Sequence, residues 1–311
     1  MEMRILRAGM QTTVQDLGRR GHRSAGVPLS GAMDPFALRV ANALVGNPEN
    51  AAALEFAFVG PAVEFSADAL VAVGGAECEG VASWRQTTVR AGERVDLGAC
   101  VRGARGYLAV AGGLDVEPVL GSGSTYLRGA FGGFEGRALR EGDVVRVRPA
   151  GRIGVRSGAA PWHIDERILP AYSTEPTVRV VLGAQAVDVG AGIFAGAFSV
   201  SSQSDRMGLR LMGPTPWELP PMDLVSSAVA PGTIQVPPDG HPLVLMADAQ
   251  TIGGYPQVGH VIAVDLPLLA QLRPGDRVRF VEVALDEAHK LALARERALG
   301  ILHEGLAQKL G

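Results

Sequence analysis

Lysine is almost missing from this 311-residue chain. Of 29 basic residues only Lys290 and Lys309 are lysine, so 27 are arginine, and both lysines fall in the last stretch. A phosphate-binding loop of the G-x-x-x-x-G-K-[ST] type needs its lysine beside the glycines, and the chain has no such segment. A Schiff-base lysine in a buried pocket is disfavoured, because both lysines sit on a charged terminal helix. The same placement argues against a biotin-carrying lysine in its usual small hairpin. If ATP or biotin takes part in the chemistry, another chain supplies that machinery.

Cysteine is scarce as well. Cys78 and Cys100 have no His or Cys beside them at metal-ligand spacing, and they read as two half-buried thiols of a reducing compartment. The histidines (His22, His163, His241, His260, His289 and His303) show neither H-x-x-x-H nor H-x-H spacing, so no metal site is expected. No apolar run reaches the ~18 residues of a membrane span, and the charged N-terminal segment lacks the pattern of a signal peptide, which together predict a cytoplasmic protein. A net charge of −3 gives no electrostatic reason to expect nucleic acid. No glycine fingerprint of a dinucleotide site follows a strand.

Glycine, in contrast, is plentiful: 41 of 311 residues, about 13% against a usual ~7%. With 20 prolines, this predicts many turns and short elements. Apolar residues at 47% and charged residues at 20% suffice for a sizeable core. The length exceeds the ~150 residues of a typical domain, which predicts two lobes. Short β-branched runs bounded by Gly, Pro or Asp predict strands at 69–73, 89–97, 107–111, 143–147, 177–182, 243–246, 260–264 and 277–283. Helices are expected at 35–45 after the cap candidate Asp34, briefly at 266–271, and over 286–310. In the last of these Leu285, Ala292, Leu299 and Leu306 are one heptad apart, but Arg295 interrupts the seam, so a packing helix is favoured over a coiled coil. Many short strands and few helices point to a mainly β fold of barrels or sandwiches.

One pattern recurs. Arg90-Ala-Gly-Glu-Arg-Val-Asp96, Arg140-Glu-Gly-Asp-Val-Val-Arg146 and Arg273-Pro-Gly-Asp-Arg-Val-Arg279 share a tight turn feeding a strand. It reads either as a mark of two related barrel-like lobes or as one local solution met three times. Residues 149–176 have a linker composition, although Trp162 and His163 within it suggest docking. The expected organisation is an N-terminal subdomain over 1–155, a linker over 156–176, a C-terminal subdomain over 177–285 and a terminal helix over 286–311.

Four polar, glycine-hinged clusters stand out. In the first, Gln15, Asp16 and Arg19 precede Ser30 and Asp34. Arg19 offers a planar fork for a carboxylate and Gln15 an amide, while local pairing of Asp16 with Arg19 and helix capping by Asp34 are the structural alternative. The second, Asn42 to Asn47 followed by Glu55, reads as helix-end chemistry. The third, Gly121-Ser-Gly-Ser-Thr125, places Ser122, Ser124 and Thr125 together. Without a G-x-S-x-G context or a lysine base they suit an anion nest, or a plain turn, better than a nucleophile. The fourth joins Ser204-Asp-Arg206, Gln235 and Asp248-Ala-Gln-Thr251-Ile-Gly253-Gly254-Tyr255. Asp248 follows an apolar strand, the glycines allow close backbone approach, and Tyr255 offers a ring and a hydroxyl. Self-packing of an elaborate loop is the alternative here. Asp248, Arg19 and Arg206 are the candidates for catalysis.

In this order the clusters resemble the biotin-dependent carboxyltransferase family that includes allophanate hydrolase subunit 2 and the C subunit of 5-oxoprolinase. The resemblance rests on Thr12-Thr-Val-Gln-Asp-Leu-Gly-Arg19, Gly26-Val-Pro-Leu-Ser-Gly-Ala-Met-Asp34, Ala41-Asn-Ala-Leu-Val-Gly-Asn47, Tyr107-Leu-Ala-Val-Ala-Gly-Gly113, Gly121 to Thr125, Ser204 to Leu211, Gly232 to Pro237 and Gly253 to Pro256. It implies two cyclophilin-like β-barrel subdomains. It also implies a partner resembling the B subunit of 5-oxoprolinase or allophanate hydrolase subunit 1, and a third partner resembling the 5-oxoprolinase A subunit. The activity implied first is ATP-dependent opening of 5-oxoproline to L-glutamate, with ATP bound by or shared with a partner. Two other branches are carboxyl transfer to urea or a small amide from biotin held on another chain, and a non-catalytic subunit that binds a kinase-inhibitor-like partner. Under the first reading Arg19 would clamp the substrate carboxylate and Asp248 would move a proton or hold a water.

Overall fold

The computed structural model describes residues 1–150, 158–194, 196–218 and 223–310. They form two compact units, one of residues 1–19, 30–169 and 297–311, the other of residues 20–29 and 170–296. The chain is mainly β with a long C-terminal helix.

The first unit contains β1 (Glu2–Arg7), β2 (Gln11–Gln15), α1 (Pro35–Leu44), β3 (Ala53–Ala57), β4 (Ala62–Phe65), β5 (Ala69–Cys78), β6 (Gln86–Val89), β7 (Arg94–Asp96), β8 (Cys100–Val110), β9 (Val144–Arg146) and β10 (Gly158–Ala159). Its strands form two sheets, ordered β7-β4-β1-β9 and β10-β6-β5-β8-β3-β2. Met3, Ile5, Val63, Phe65, Val95 and Val145 of the smaller sheet join Val14, Leu54, Phe56, Val71, Val73, Leu108 and Val110 of the larger in one apolar cluster. Each such fully buried side chain contributes roughly 1.5–3 kcal/mol.

Strand alternation sends the intervening residues of the larger sheet to its other face. There the register sets Thr13 opposite Glu55, Glu55 opposite Tyr107 and Tyr107 opposite Gly74, a single row across four strands. Helix α1 crosses this face at Gly74, where an added Cβ would stand 2.5 Å from the Ala37 carbonyl oxygen. Asp34 caps the helix as its position predicted, accepting from the Ala37 N–H at 2.9 Å, with Pro35 in the first turn.

The second unit contains β11 (Thr177–Leu182), α2 (Ala186–Val189), β12 (Ala197–Val200), β13 (Gly208–Met212), β14 (Ser227–Ala228), β15 (Thr233–Gln235), β16 (Leu243–Leu245), β17 (Ile252–Gly253), β18 (Gln257–Val261), α3 (Leu266–Ala270) and β19 (Arg277–Glu282). Seven of its strands close a barrel in the order β11-β18-β15-β16-β13-β12-β19, in which β11 and β19 run parallel. β14 and β17 make a separate two-stranded ribbon. The terminal helix α4 (Leu285–Leu310) belongs to the second unit up to Glu296 and to the first from Arg297. On it Leu299 and Leu306 are buried and Ala292 packs against Ile262, Val264 and Ala288, whereas Leu285 is 55% exposed, so the expected heptad seam fails to pack only at its first position. Within the first unit the Lys309 ammonium lies 4.4 Å from the centre of the Trp162 ring and His303 Nδ1 lies 2.9 Å from Glu49. Of the two rings expected to dock, Trp162 is half-buried and His163 is exposed.

Two expected strands depart most from their predicted ranges. Residues 89–97 are the end of β6, a turn and β7, and β18 stops at Val261, where the Asp265 N–H donates back to the Ile262 carbonyl and the chain turns into α3. The recurrent R-x-G-[DE] pattern is one capped turn built three times. The acidic side chain accepts from the arginine N–H three residues back: Glu93 from Arg90 at 2.9 Å, Asp143 from Arg140 at 2.7 Å and Asp276 from Arg273 at 2.8 Å. The intervening Gly92, Gly142 and Gly275 all have positive φ, and the turns launch β7, β9 and β19.

Candidate functional site

In the first unit the polar residues of the first and third sequence clusters come together. Asp16, immediately after β2, is 9% exposed and its carboxylate is filled with donors. Oδ1 accepts from the Ser122 hydroxyl at 2.6 Å, from the Ser124 hydroxyl and from the Gly18 N–H at 2.8 Å, and Oδ2 accepts from the Gly123 N–H at 2.6 Å. The Asp16 N–H in turn donates to Ser124 Oγ at 2.9 Å. The serine-glycine segment is therefore an anion nest, and the anion it holds is the chain's own carboxylate. Thr125 closes the segment onto β2, its N–H and hydroxyl donating to the Val14 carbonyl at 2.9 and 3.0 Å.

Arg19 is fully buried. A terminal nitrogen donates to the Ser124 carbonyl, Nε lies 3.5 Å from the Val119 carbonyl, and the guanidinium stands 4.8 Å from the centre of the Phe131 ring. Its fork is thus turned onto the 119–131 segment that it braces.

The row on the α1 side of the sheet adds residues that sequence inspection left out of the candidate set. Tyr107 donates its hydroxyl to Glu55 Oε2 at 2.8 Å and accepts the Asp34 N–H at 2.8 Å. Glu55 Oε2 also accepts the Met33 N–H at 2.9 Å, and its other oxygen is 3.4 Å from Arg105. Burial, followed by the nearby Glu55 carboxylate, pushes the Tyr107 phenol well above its ordinary value, which keeps it a donor. Glu55 carried a readable signal, a lone carboxylate in the apolar strand Ala53-Leu-Glu-Phe-Ala57.

Beside this row Gln15 donates from Nε2 to Thr13 Oγ1 at 3.0 Å and to the Thr125 carbonyl at 3.1 Å. Its Oε1 and the hydroxyl of Ser30 are buried without a hydrogen-bond partner among the described residues. Ser30 has φ +53° and Gly31 φ +83°; a Cβ at Gly31 would stand 2.6 Å from the Gly18 nitrogen. Asn42 and Asn47 have the structural role expected of them: Asn47 donates to Asn42 Oδ1 and to the Val110 carbonyl, tying the end of α1 to β8.

In the second unit the fourth cluster forms two contact sets, Arg206 with Asp248 and Gln235 with the 250–255 segment. Arg206 donates from Nε to Asp248 Oδ2 at 2.8 Å and from a terminal nitrogen to Oδ1 at 3.0 Å, and the Asp248 N–H returns a bond to the Arg206 carbonyl at 2.9 Å. Gln235 ends β15 fully buried, with Nε2 3.3 Å from the Tyr255 carbonyl and Oε1 3.5 Å from Gln250 Nε2. Gly253 rests on that amide, since a Cβ there would come within 2.6 Å of Gln235 Nε2. Thr251 is buried and its carbonyl accepts from the Val229 N–H at 3.1 Å. Gly254 and Tyr255 face solvent, Tyr255 at 45%. Close by in the barrel, Thr233 Oγ1 lies 3.2 Å from His260 Nδ1, and burial lowers the His260 pKa.

Among the described residues no group of three or more His, Cys, Asp or Glu side chains is arranged to hold a metal ion, and no helix is long and apolar enough to cross a membrane.

A family model described as carboxyltransferase domain, subdomain A and B, matches residues 25–282. That range includes every site candidate except Gln15, Asp16 and Arg19. The chain is 40% identical over 305 residues to the C subunit of 5-oxoprolinase from Escherichia coli K12, covering 95% of this chain and 96% of that one. It is 38% identical to the corresponding C subunit from Haemophilus influenzae, covering 94% of each. The crystal structure of the Kluyveromyces lactis urea carboxylase is similar with a TM-score of 0.88 and 29% identity, over 98% of this chain and 29% of that chain.

Proposed function

This chain belongs to the carboxyltransferase domain family, subdomains A and B, and on that premise we propose that it is one subunit of an ATP-dependent 5-oxoprolinase, which opens the lactam of 5-oxoproline to L-glutamate. The observation behind the choice is sequence similarity: the chain is 40% and 38% identical to two 5-oxoprolinase C subunits and 29% identical to the urea carboxylase. The partners in this reading are homologues of the B and A subunits of 5-oxoprolinase, and the location is the cytoplasm.

Of the residues in the fourth cluster, the 250–255 loop is the part a small substrate can reach. Gln235 seats it, and the Arg206–Asp248 pair fixes the point where it leaves the barrel. Tyr255 and the backbone of Gly254 then line the substrate, and Arg206 and Asp248 position them. In the first unit Asp16, Arg19 and Ser124 are a brace for the loop region, with Gln15 and Ser30 offering polar atoms to a small ligand. A triphosphate needs several cationic donors. Arg206 is paired with Asp248 and Arg19 donates to the Ser124 carbonyl, so in this reading ATP is bound by or shared with a partner chain, and no step on this chain runs through it.

Reconstitution of the complete complex tests the reading. Glutamate formation and ATP hydrolysis that both depend on 5-oxoproline, unaffected by avidin, are the expected result. Avidin-sensitive carboxylation of urea or a small amide would install a carboxyltransferase that uses biotin from another chain. A stable complex without turnover would leave a regulatory subunit that binds a kinase-inhibitor-like partner.

A further inference from the structure

Cys78 and Cys100 are far apart in sequence but directly opposite in the sheet: the register of β5 and β8 pairs them. The next rung joins Glu79 to Ala99, with the Glu79 N–H donating to the Ala99 carbonyl at 3.1 Å. The Ala99 N–H turns instead to Glu79 Oε2 at 3.1 Å, and opposed Cα atoms of an antiparallel pair lie roughly 4.5–5.5 Å apart. A disulfide spans Cα separations of about 4.4–6.8 Å. Opposed Cβ atoms in a flat ladder are slightly too distant, but the register shifts between Glu77 and Cys78, and such a bulge adds local twist. Cys78 Sγ donates to the Ala76 carbonyl at 3.6 Å, and neither cysteine is held in a disulfide. Cys78 is partly exposed, whereas Cys100 is 3% exposed behind it.

We propose that Cys78 and Cys100 form a dithiol site that a low-molecular-weight disulfide oxidises to a cross-strand disulfide. Cys78 is the entry point because it alone meets solvent. Its thiolate attacks one sulfur of the oxidant, a mixed disulfide forms, and one small thiol leaves. The Cys100 thiolate then attacks the Cys78 sulfur and expels the second small thiol. Two electrons pass from the protein to the oxidant, and the two protons end on the released thiols. The hydrogen bond with Cys100, and then burial, push the Cys78 thiol up, so thiolate is scarce near neutrality and the reaction accelerates as pH rises.

The test uses the intact chain and oxidised glutathione in native buffer at mildly alkaline pH, followed by denaturation and alkylation. The expected product is lighter than the reduced chain by two hydrogen atoms, takes up no alkylating agent, reverts with reductant, and yields one peptide pair linking residues 78 and 100. Cys100→Ser stops at a glutathione adduct on Cys78, and Cys78→Ser takes up none. Two alkylated thiols after exposure to the oxidant would overturn the proposal. So would a lasting adduct on Cys78 with Cys100 still alkylatable, or disulfides formed only between chains. If Cys100→Ser does not fold, the wild-type mass and peptide link still decide. None of these readouts depends on the reaction that the complex catalyses.

Discussion

Arg206 holds Asp248 through two N–H···O bonds of 2.8 and 3.0 Å, with each side chain only 5% exposed. Two charges buried in this way neutralise each other, so removing either one alone leaves the other ion buried without this partner. Arg206→Met and Asp248→Leu are each expected to lower stability by ~3–5 kcal/mol. The double replacement Arg206→Met with Asp248→Leu should recover most of that loss. Urea denaturation of the four chains measures the cycle, and additive losses would show the two residues to be uncoupled.

Tyr107 bridges the Asp34 N–H and the Glu55 carboxylate, and its phenol is held protonated by burial. Tyr107→Phe removes both bonds at once and should cost about 1–3 kcal/mol. The folded-state pKa is raised, so the stability it provides is complete below the unfolded value of ~10 and declines as pH rises beyond it. Denaturation of wild type and variant across the alkaline range checks this: the wild type alone should show that decline.

The Arg137 guanidinium, hydrogen-bonded to Asp143, holds that carboxyl below the usual carboxylate range, and the Arg140 N–H assists. Because the folded value is the lower one, the contribution is full above the unfolded pKa of ~3.9 and disappears as pH falls through the folded value. Asp143→Asn should therefore destabilise near neutrality and match wild type in strong acid. The loss is on the order of 1 kcal/mol, because solvent screens Arg137, a quarter of which is exposed.

Gly142 and Gly132 both have positive φ, but their surroundings differ. A Cβ at Gly142 meets nothing within 4 Å, whereas one at Gly132 would stand 2.2 Å from the Ser124 carbonyl oxygen and 2.7 Å from Arg19. Gly142→Ala should cost only the ~1–2 kcal/mol of left-handed strain. Gly132→Ala should lose a further ~1–3 kcal/mol through overpacking and should loosen the segment that Asp16 anchors. Thermal unfolding of the two variants ranks them; equal losses would mean that the Ser124 segment yields freely.

Much of the local structure was readable residue by residue. Asp34-Pro35 marked the start of α1, and the three R-x-G-[DE] turns were visible as turns because the glycine and the acidic side chain form them within four residues. The pairings were not. Nothing local says that the serines of 121–125 enclose Asp16 from more than 100 positions away, or that Glu55 shares a rung with Tyr107. Arg19 offered a free planar fork on paper, and only the approach of the 119–131 segment turned it inward. The two thiols looked unrelated for the same reason, since strand register depends on the whole ladder.

Composition and local chemistry by themselves determined a mainly β chain with short elements, capped turns, one long terminal helix and polar residues gathered beside glycines. Those features depend on backbone freedom and on contacts a few residues apart. Tertiary structure alone decided which polar groups bind one another and which reach solvent. It joined Arg206 to Asp248, filled the serine nest with Asp16 and left Gly254 and Tyr255 exposed, because burial obliges each charge and hydroxyl to take whichever partner the packed sheets bring within reach.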